Sequence, residues 1–267
     1  IFVLPTPFYI DGQLYYEGVD LKKDDFFKMQ AEDREITTSM PIVGEVMDRF
    51  DEILKDYDEL IYIPLSSGLS SSCETAEMLA EDDYEGRVFV VNNQRISVTQ
   101  KLSVYEAKAL ADEGKSGAKI KEYLEAHKKE SSIYIMVDTL KYLKKGGRLT
   151  PAVAAIGTLL HIKPVLQIQG EKLDTFAKAR TLAQAKEIMT EAVIKDLKER
   201  FKDTDAKNEI ISIAHTENEE EAIRFRDELR VHFPDTNIII DPLSLVVAVH
   251  IGPGSLAVTV SKSFIEL

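Results

Sequence analysis

Three short apolar runs, at residues 59–65, 86–91 and 132–137, are separated by stretches of helical spacing at 73–82, 102–114 and 117–128. This alternation constrains the fold more than any other feature, because strands and helices that take turns build a parallel, doubly wound sheet. Ligands of such sheets sit beyond the carboxyl ends of the strands, where strand gives way to helix. The first such junction reads LIYIPLSSGLSSSCETAEMLAED, residues 60–82. Leu60, Ile61, Ile63 and Leu65 suit a buried strand, and Met78 and Leu79 recur with Cys73 and Ala76 at helical spacing. The Ser/Gly loop between them points hydroxyls, unpaired backbone N–H groups and the positive end of a helix dipole at one spot, which favours an anion.

After about residue 131 the order changes. A helical segment at 139–145 and an apolar stretch from Pro151 to Ile162 precede a strand at 163–169 and a long amphipathic helix from Leu182 to Phe201. Strands are then expected at 209–214, 237–241, 244–250 and 256–261. Crowded strands without intervening helices imply antiparallel or mixed pairing. The expectation is therefore an α/β chain of two domains: a parallel doubly wound domain over 1–131 and an α+β domain with a mixed sheet over 132–267. A length of 267 residues suits two domains.

Local signals fix several boundaries. PFYIDGQLYYEG alternates around Asp11-Gly12, the turn dipeptide of a two-residue hairpin. TTSMP precedes helical spacing at Val43, Val46, Met47, Phe50, Ile53 and Leu54, with Pro41 expected in the first turn and Thr38 or Ser39 as N-cap. Thr216 and Glu219 stand at capping-box spacing before the last helix.

A formal charge of −13 argues against a nucleic-acid backbone or an anionic membrane surface as main partner. The longest apolar stretch is too short to cross a bilayer and reads as a core helix, so no stable membrane insertion is expected. A single cysteine, Cys73, excludes a disulfide framework and fits a reducing, cytoplasmic setting as a buried helix residue. The five histidines show no metal-binding spacing, and the chain carries no phosphate-binding loop of the G-x-x-x-x-G-K-[ST] type. No cofactor, metal or catalytic residue is expected.

Five serines within residues 65–72 exceed what helix capping needs. They do not form a nucleophile elbow, since Ser72 stands where G-x-S-x-G requires glycine. YLKKGGRLT gathers Lys144, Lys145 and Arg148 around paired glycines, and KAR adds Lys178 and Arg180. Either a solvated basic turn or a docking surface for a partner, or for a phosphate it carries, accounts for them. In VHIGPG, an expected strand over Leu245–Val249 ends in His250 and an extended turn. A neutral histidine there donates one hydrogen bond to an oxyanion.

TSMP (38–41), SSGLSSS (66–72), LKYLKKGGRLT (140–150), GTLLHIKPVL (157–166), KAR (178–180) and HIGPG (250–254) occur in that order. Together they resemble the DegV family of bacterial fatty-acid-binding proteins over nearly the whole chain. The resemblance implies a long-chain fatty acid as ligand, its carboxylate held by hydroxyls of the Thr-Ser and Ser-Gly-Leu-Ser motifs. By motif these are Thr38 and Ser39, then Ser67 or Ser70 with Gly68, and His250 close by. It also implies a partner, the ATP-using catalytic subunit of a fatty acid kinase, to which this chain presents its acid. Lys145, Arg148, Lys178 and Arg180 would face that partner or its phosphate. The chain departs from the family in lacking the opening strand with its Asp-Ser-Thr segment, so that it begins as if within a strand. It also has Asn92-Asn93 for an Asp-Ser pair, Thr99 and Lys101 for glycines, and Met40 and Ile42 for the commoner Gln and Ser. A second class of function fits the Ser-rich loop alone: an enzyme or binding protein for a small phosphorylated metabolite. A third is a regulatory module whose basic Gly-Gly-Arg turn docks a protein.

Overall fold

The computed structural model describes residues 1–148, 150–154 and 162–265. Residues 1–7 form no strand. β1 (Phe8–Ile10) and β2 (Gln13–Tyr15) make the hairpin expected around Asp11-Gly12, whose φ angles of 50° and 81° are those of a type I′ turn. α1 (Lys23–Ala31) leads to β3 (Ile36–Thr38), which pairs antiparallel with β1.

The parallel sheet consists, among the described residues, of β4 (Leu60–Tyr62) and β5 (Val88–Val90). Successive side chains of a strand point to opposite faces, and both faces here are covered. Leu60, Tyr62, Val88 and Val90 pack under α2 (Val43–Ile53) and α3 (Ser72–Asp83). Ile61, Ile63 and Val91 pack under α4 (Ser97–Asp112) and α5 (Gly117–Ala126). That is the doubly wound arrangement the alternation predicts.

The third apolar run becomes β6 (Ser131–Met136) and joins the large sheet of the second half. α6 (Lys141–Lys145) and α7 (Pro151–Ala154) precede β7 (Lys163–Ile168) and β8 (Leu173–Ala179). α8 (Leu182–Asp196) ends in a π-helical turn, Leu197–Phe201, before β9 (Glu209–His215) and α9 (Glu219–Leu229). β10 (Ile238–Pro242), α10 (Leu245–Ile251) and β11 (Leu256–Lys262) complete the chain. The strand order is β10-β9-β11-β6-β7-β8, parallel between β9 and β10 and antiparallel elsewhere, the expected mixed sheet.

One face of this sheet, with Tyr134, Met136, Ile211, Ile213 and Val258, is sealed by Met189, Ala192 and Val193 of α8. The other face presents Ile133, Ile135, Leu166, Ala214 and Ala257. Residues at the start of the chain close over the second half: Phe8, Phe26 and Ile36 bury against Leu245, Ala248 and Val249.

Four expectations need correction. The stretch 244–250 is not a strand but most of α10, because its apolar residues must meet two neighbours at once, the β1–β3 hairpin side and the large sheet. A short apolar run carries no periodicity that separates strand from buried helix, and packing overrides the β preference of its valines. α2 starts at Val43 with Ile42 as N-cap, so Pro41 lies outside the helix and neither Thr38 nor Ser39 caps it. Thr216 forms no capping box, since Asn218 is the N-cap of α9. Its hydroxyl donates to Gly252 O at 2.6 Å and accepts from Ser255 N at 3.1 Å, holding the HIGPG turn. KAR is not a turn: Lys178 lies in β8, an edge strand that the sequence reading passed over, where exposed lysine guards against further pairing. The core helix expected over 151–162 is seen as α7, and the rest of it, with Gly157 and His161, lies outside the described residues.

Candidate ligand-binding site

A cavity with about 970 Å³ of empty space, its open mouth included, lies against the aliphatic face of the large sheet. Its floor is Ile133, Ile135, Ile168, Leu173, Ala214 and Ala257, and Val246, Val247 and Ile251 of α10 form one wall. Leu65, Leu69 and Ser70 of the Ser loop, Ile96 to Val98 at the start of α4, Leu143 of α6 and Arg148 close it. A mostly aliphatic lining with a few polar groups is the usual make-up of a small-molecule pocket.

Those polar groups collect where β3, the Ser loop and α10 meet. Thr38 Oγ1 lies 2.8 Å from His250 Nε2. Burial, and next the positive charge of Arg148, push the imidazole down to about 4, so it is neutral at pH 7. His250 Nδ1 is buried with no hydrogen-bond partner among the described residues. It packs on Gly146, where a methyl group would come within 2.1 Å of it. On the far side of the turn a methyl on Gly252, at φ 72°, would come within 2.2 Å of the Tyr142 ring. The glycines of KKGGR and HIGPG thus let α6 and α10 approach closely enough to seat the histidine.

Of the residues singled out in the sequence, Thr38, Ser39, Ser70 and His250 line the cavity, whereas Ser67 and Gly68 do not. Gly68 is required for a different reason: a Cβ there would lie 2.3 Å from the Glu171 carbonyl, and Ser66 Oγ donates to that same carbonyl at 2.9 Å. The loop is thereby pinned to the β7–β8 turn. Ser70 Oγ accepts from Ser72 N at 3.2 Å and covers the start of α3. Ser71 Oγ and Thr75 Oγ1 donate to Met40 Sδ at 3.6 and 3.4 Å, so Met40 occupies hydroxyls at that helix start.

The basic residues divide. Arg148 lines the cavity, the one charged side chain among the described lining residues, with its guanidinium donating to Gly146 O at 2.7 Å. Lys145 instead pairs with Asp33 at 3.3 Å and donates to Arg34 O. Lys178 and Arg180 are exposed at the sheet edge. Thr6, Ser97 and Thr259 also line the cavity and were missed. Thr6 sits between Pro5 and Pro7 in irregular chain, Thr259 is one residue of an apolar strand, and only Ser97 follows a recognisable rule, as the first residue of α4.

Asn93 is buried and donates to Ser103 Oγ at 2.7 Å. Ser103 also accepts from Arg95, which pairs at 3.7 Å with Glu106, both nearly fully buried. No group of His, Cys, Asp or Glu suited to a metal occurs among the described residues, and none of their helices is long and apolar enough to cross a membrane.

Solved structures with the same architecture include a Thermus thermophilus protein described as fatty-acid binding and of the DegV family. It has a TM-score of 0.86, 28% identity, and 97% of this chain and 91% of that one covered. The fatty-acid-binding DegV family protein of Streptococcus agalactiae matches with a TM-score of 0.87 at 26% identity, covering 98% and 91%. In sequence, Protein DegV of Bacillus subtilis is 30% identical over 97% of this chain and 90% of its own length. The sequence profile described as uncharacterised protein, DegV family, matches residues 1–263, and this chain belongs to that family.

Proposed function

We propose that this protein binds a long-chain fatty acid, with the carboxylate at Thr38, Ser39, Ser70 and His250 and the acyl chain along the aliphatic floor of the cavity. The observation that carries the reading is the division of one cavity into a hydroxyl and imidazole end and an aliphatic body. Similar proteins of Thermus thermophilus and Streptococcus agalactiae are described as binding fatty acids, which supports it.

The roles follow from proton placement. His250 Nδ1 faces Gly146 with no acceptor, so the ring proton belongs on Nε2, which donates to Thr38 Oγ1. That leaves the Thr38 hydroxyl free to donate to a carboxylate oxygen, and the neutral ring fixes its direction. Ser70, which also lines the cavity, adds a hydroxyl donor, and Arg148 offsets the ligand's charge. Each buried methylene is worth about 0.8 kcal/mol, so affinity comes from the chain and orientation from the head group.

The protein acts as a carrier that presents the acid to a separate ATP-using kinase, which makes the acyl phosphate. Arg148 in the cavity lining and the exposed Lys178 and Arg180 are the groups we assign to that encounter. The alternative, a small phosphorylated metabolite beside Arg148 and Ser70, leaves the aliphatic floor unused. Solvent extraction of the purified protein followed by mass spectrometry tests the reading. A long-chain acid in stoichiometric amount is expected; absence of one, together with no saturable uptake of hexadecanoic acid, would reject it.

A further inference from the structure

The aliphatic floor carries one hydroxyl. Thr259 of β11 lines the cavity and is 3% exposed. Its strand partners in register are Ile133 on one side and Ser212 on the other, so all three side chains share the cavity face of the sheet. Neither the Thr259 nor the Ser212 hydroxyl has a hydrogen-bond partner among the described residues. On one side along this face lie Ile135, Ala214 and Ala257, and on the other Ser131 and Ser261, whose hydroxyls bond each other at 2.8 Å. Valine has the same shape as threonine and suits a strand as well, so packing does not call for oxygen here. A chain of methylenes alone would strip water from the hydroxyl and return nothing, the situation that penalises a buried polar group.

Thr259 also lies far from the head group. It stands four positions after Ser255, which follows the turn after His250, and at the strand rise this is about 14 Å. We propose that the cavity is adapted to a long-chain acid bearing a hydroxyl near the middle of its chain, with Thr259 as the residue that selects it and Ser212 beside it. This rests on the acid-binding reading above and adds the substrate class. A mid-chain hydroxyl both donates to and accepts from the Thr259 hydroxyl, and the small Ala257 and Ala214 leave room for the added oxygen.

The test is competitive binding of octadecanoic acid against hydroxyoctadecanoic acids carrying the hydroxyl at the eighth, tenth or twelfth carbon. At least one isomer is expected to bind about tenfold more tightly than the unsubstituted acid. Thr259→Val, which keeps the shape, should erase that preference, and Thr259→Ser should keep it. Equal binding of all four acids by the native protein would overturn the proposal and leave the acid-binding reading intact, as would a preference unchanged in Thr259→Val. Binding of none of them would overturn both.

Discussion

Gly146 and His250 are packed so closely that a single added methyl on the glycine would come within 2.1 Å of Nδ1. Gly146 has φ −81°, which any residue adopts, so alanine there adds a methyl without backbone strain. Gly146→Ala is expected to displace the imidazole from Thr38, cost about 1–3 kcal/mol of stability as overpacking does, and weaken acid binding. Denaturant unfolding and a binding titration check it.

His250 titrates at about 4 in the folded protein against an ordinary value of about 6.5. Between those values the unfolded chain binds the proton and the folded one does not, so this group's stabilising contribution is present above 6.5 and is lost as pH falls towards 4. His250→Gln should flatten that part of the stability profile, and a proton NMR titration of the ring should show a midpoint well below 6.

Glu209 has the opposite sign. Burial, and then the neighbouring Asp203 charge, raise it to about 7, and when protonated it donates to Asp203. The folded state holds this proton between about 4.5 and 7, so its contribution is present below that window and lost as pH rises through it. Glu209→Gln, which keeps a donor, is expected to raise the melting temperature at pH 8 more than at pH 5.

Arg95 and Glu106 are almost completely buried, and Arg95 also donates to Ser103 Oγ and His127 O while Glu106 accepts from Ser263 Oγ. Burial, before any effect of the partner, pushes Arg95 down and Glu106 up. Removing one partner strands the other charge, so Glu106→Leu should cost about 3–5 kcal/mol, and Arg95→Met with Glu106→Leu together should cost less. Chemical denaturation of the three variants reads this directly.

Much of the fold is legible in the sequence because local chemistry and global packing agree there. Asp11-Gly12 can take the left-handed turn, and Leu60 to Tyr62 and Val88 to Val90 are apolar on both faces because helices cover both. α10 was not legible, since its burial depends on Phe8 and Phe26, more than 200 positions away, and on a sheet still to be formed. Three hydroxyls of the cavity lining, Thr38, Ser39 and Ser70, were legible because they lie in hydroxyl clusters of the sequence. Thr6, Thr259 and the cavity role of Arg148 depend on which way a side chain faces in the folded chain, and no spacing reveals that.

The most direct test of the central claim compares hexadecanoic acid with its methyl ester, for the native protein and for Thr38→Val. The ester keeps the chain and removes the charge proposed to lie at Thr38, Ser70 and His250. A charge-assisted hydrogen bond is worth about 1.5–3 kcal/mol, so Thr38→Val should weaken the acid by roughly tenfold or more and the ester hardly at all. Equal loss for acid and ester, or no loss for either, would contradict the assignment of this cavity end to a carboxylate.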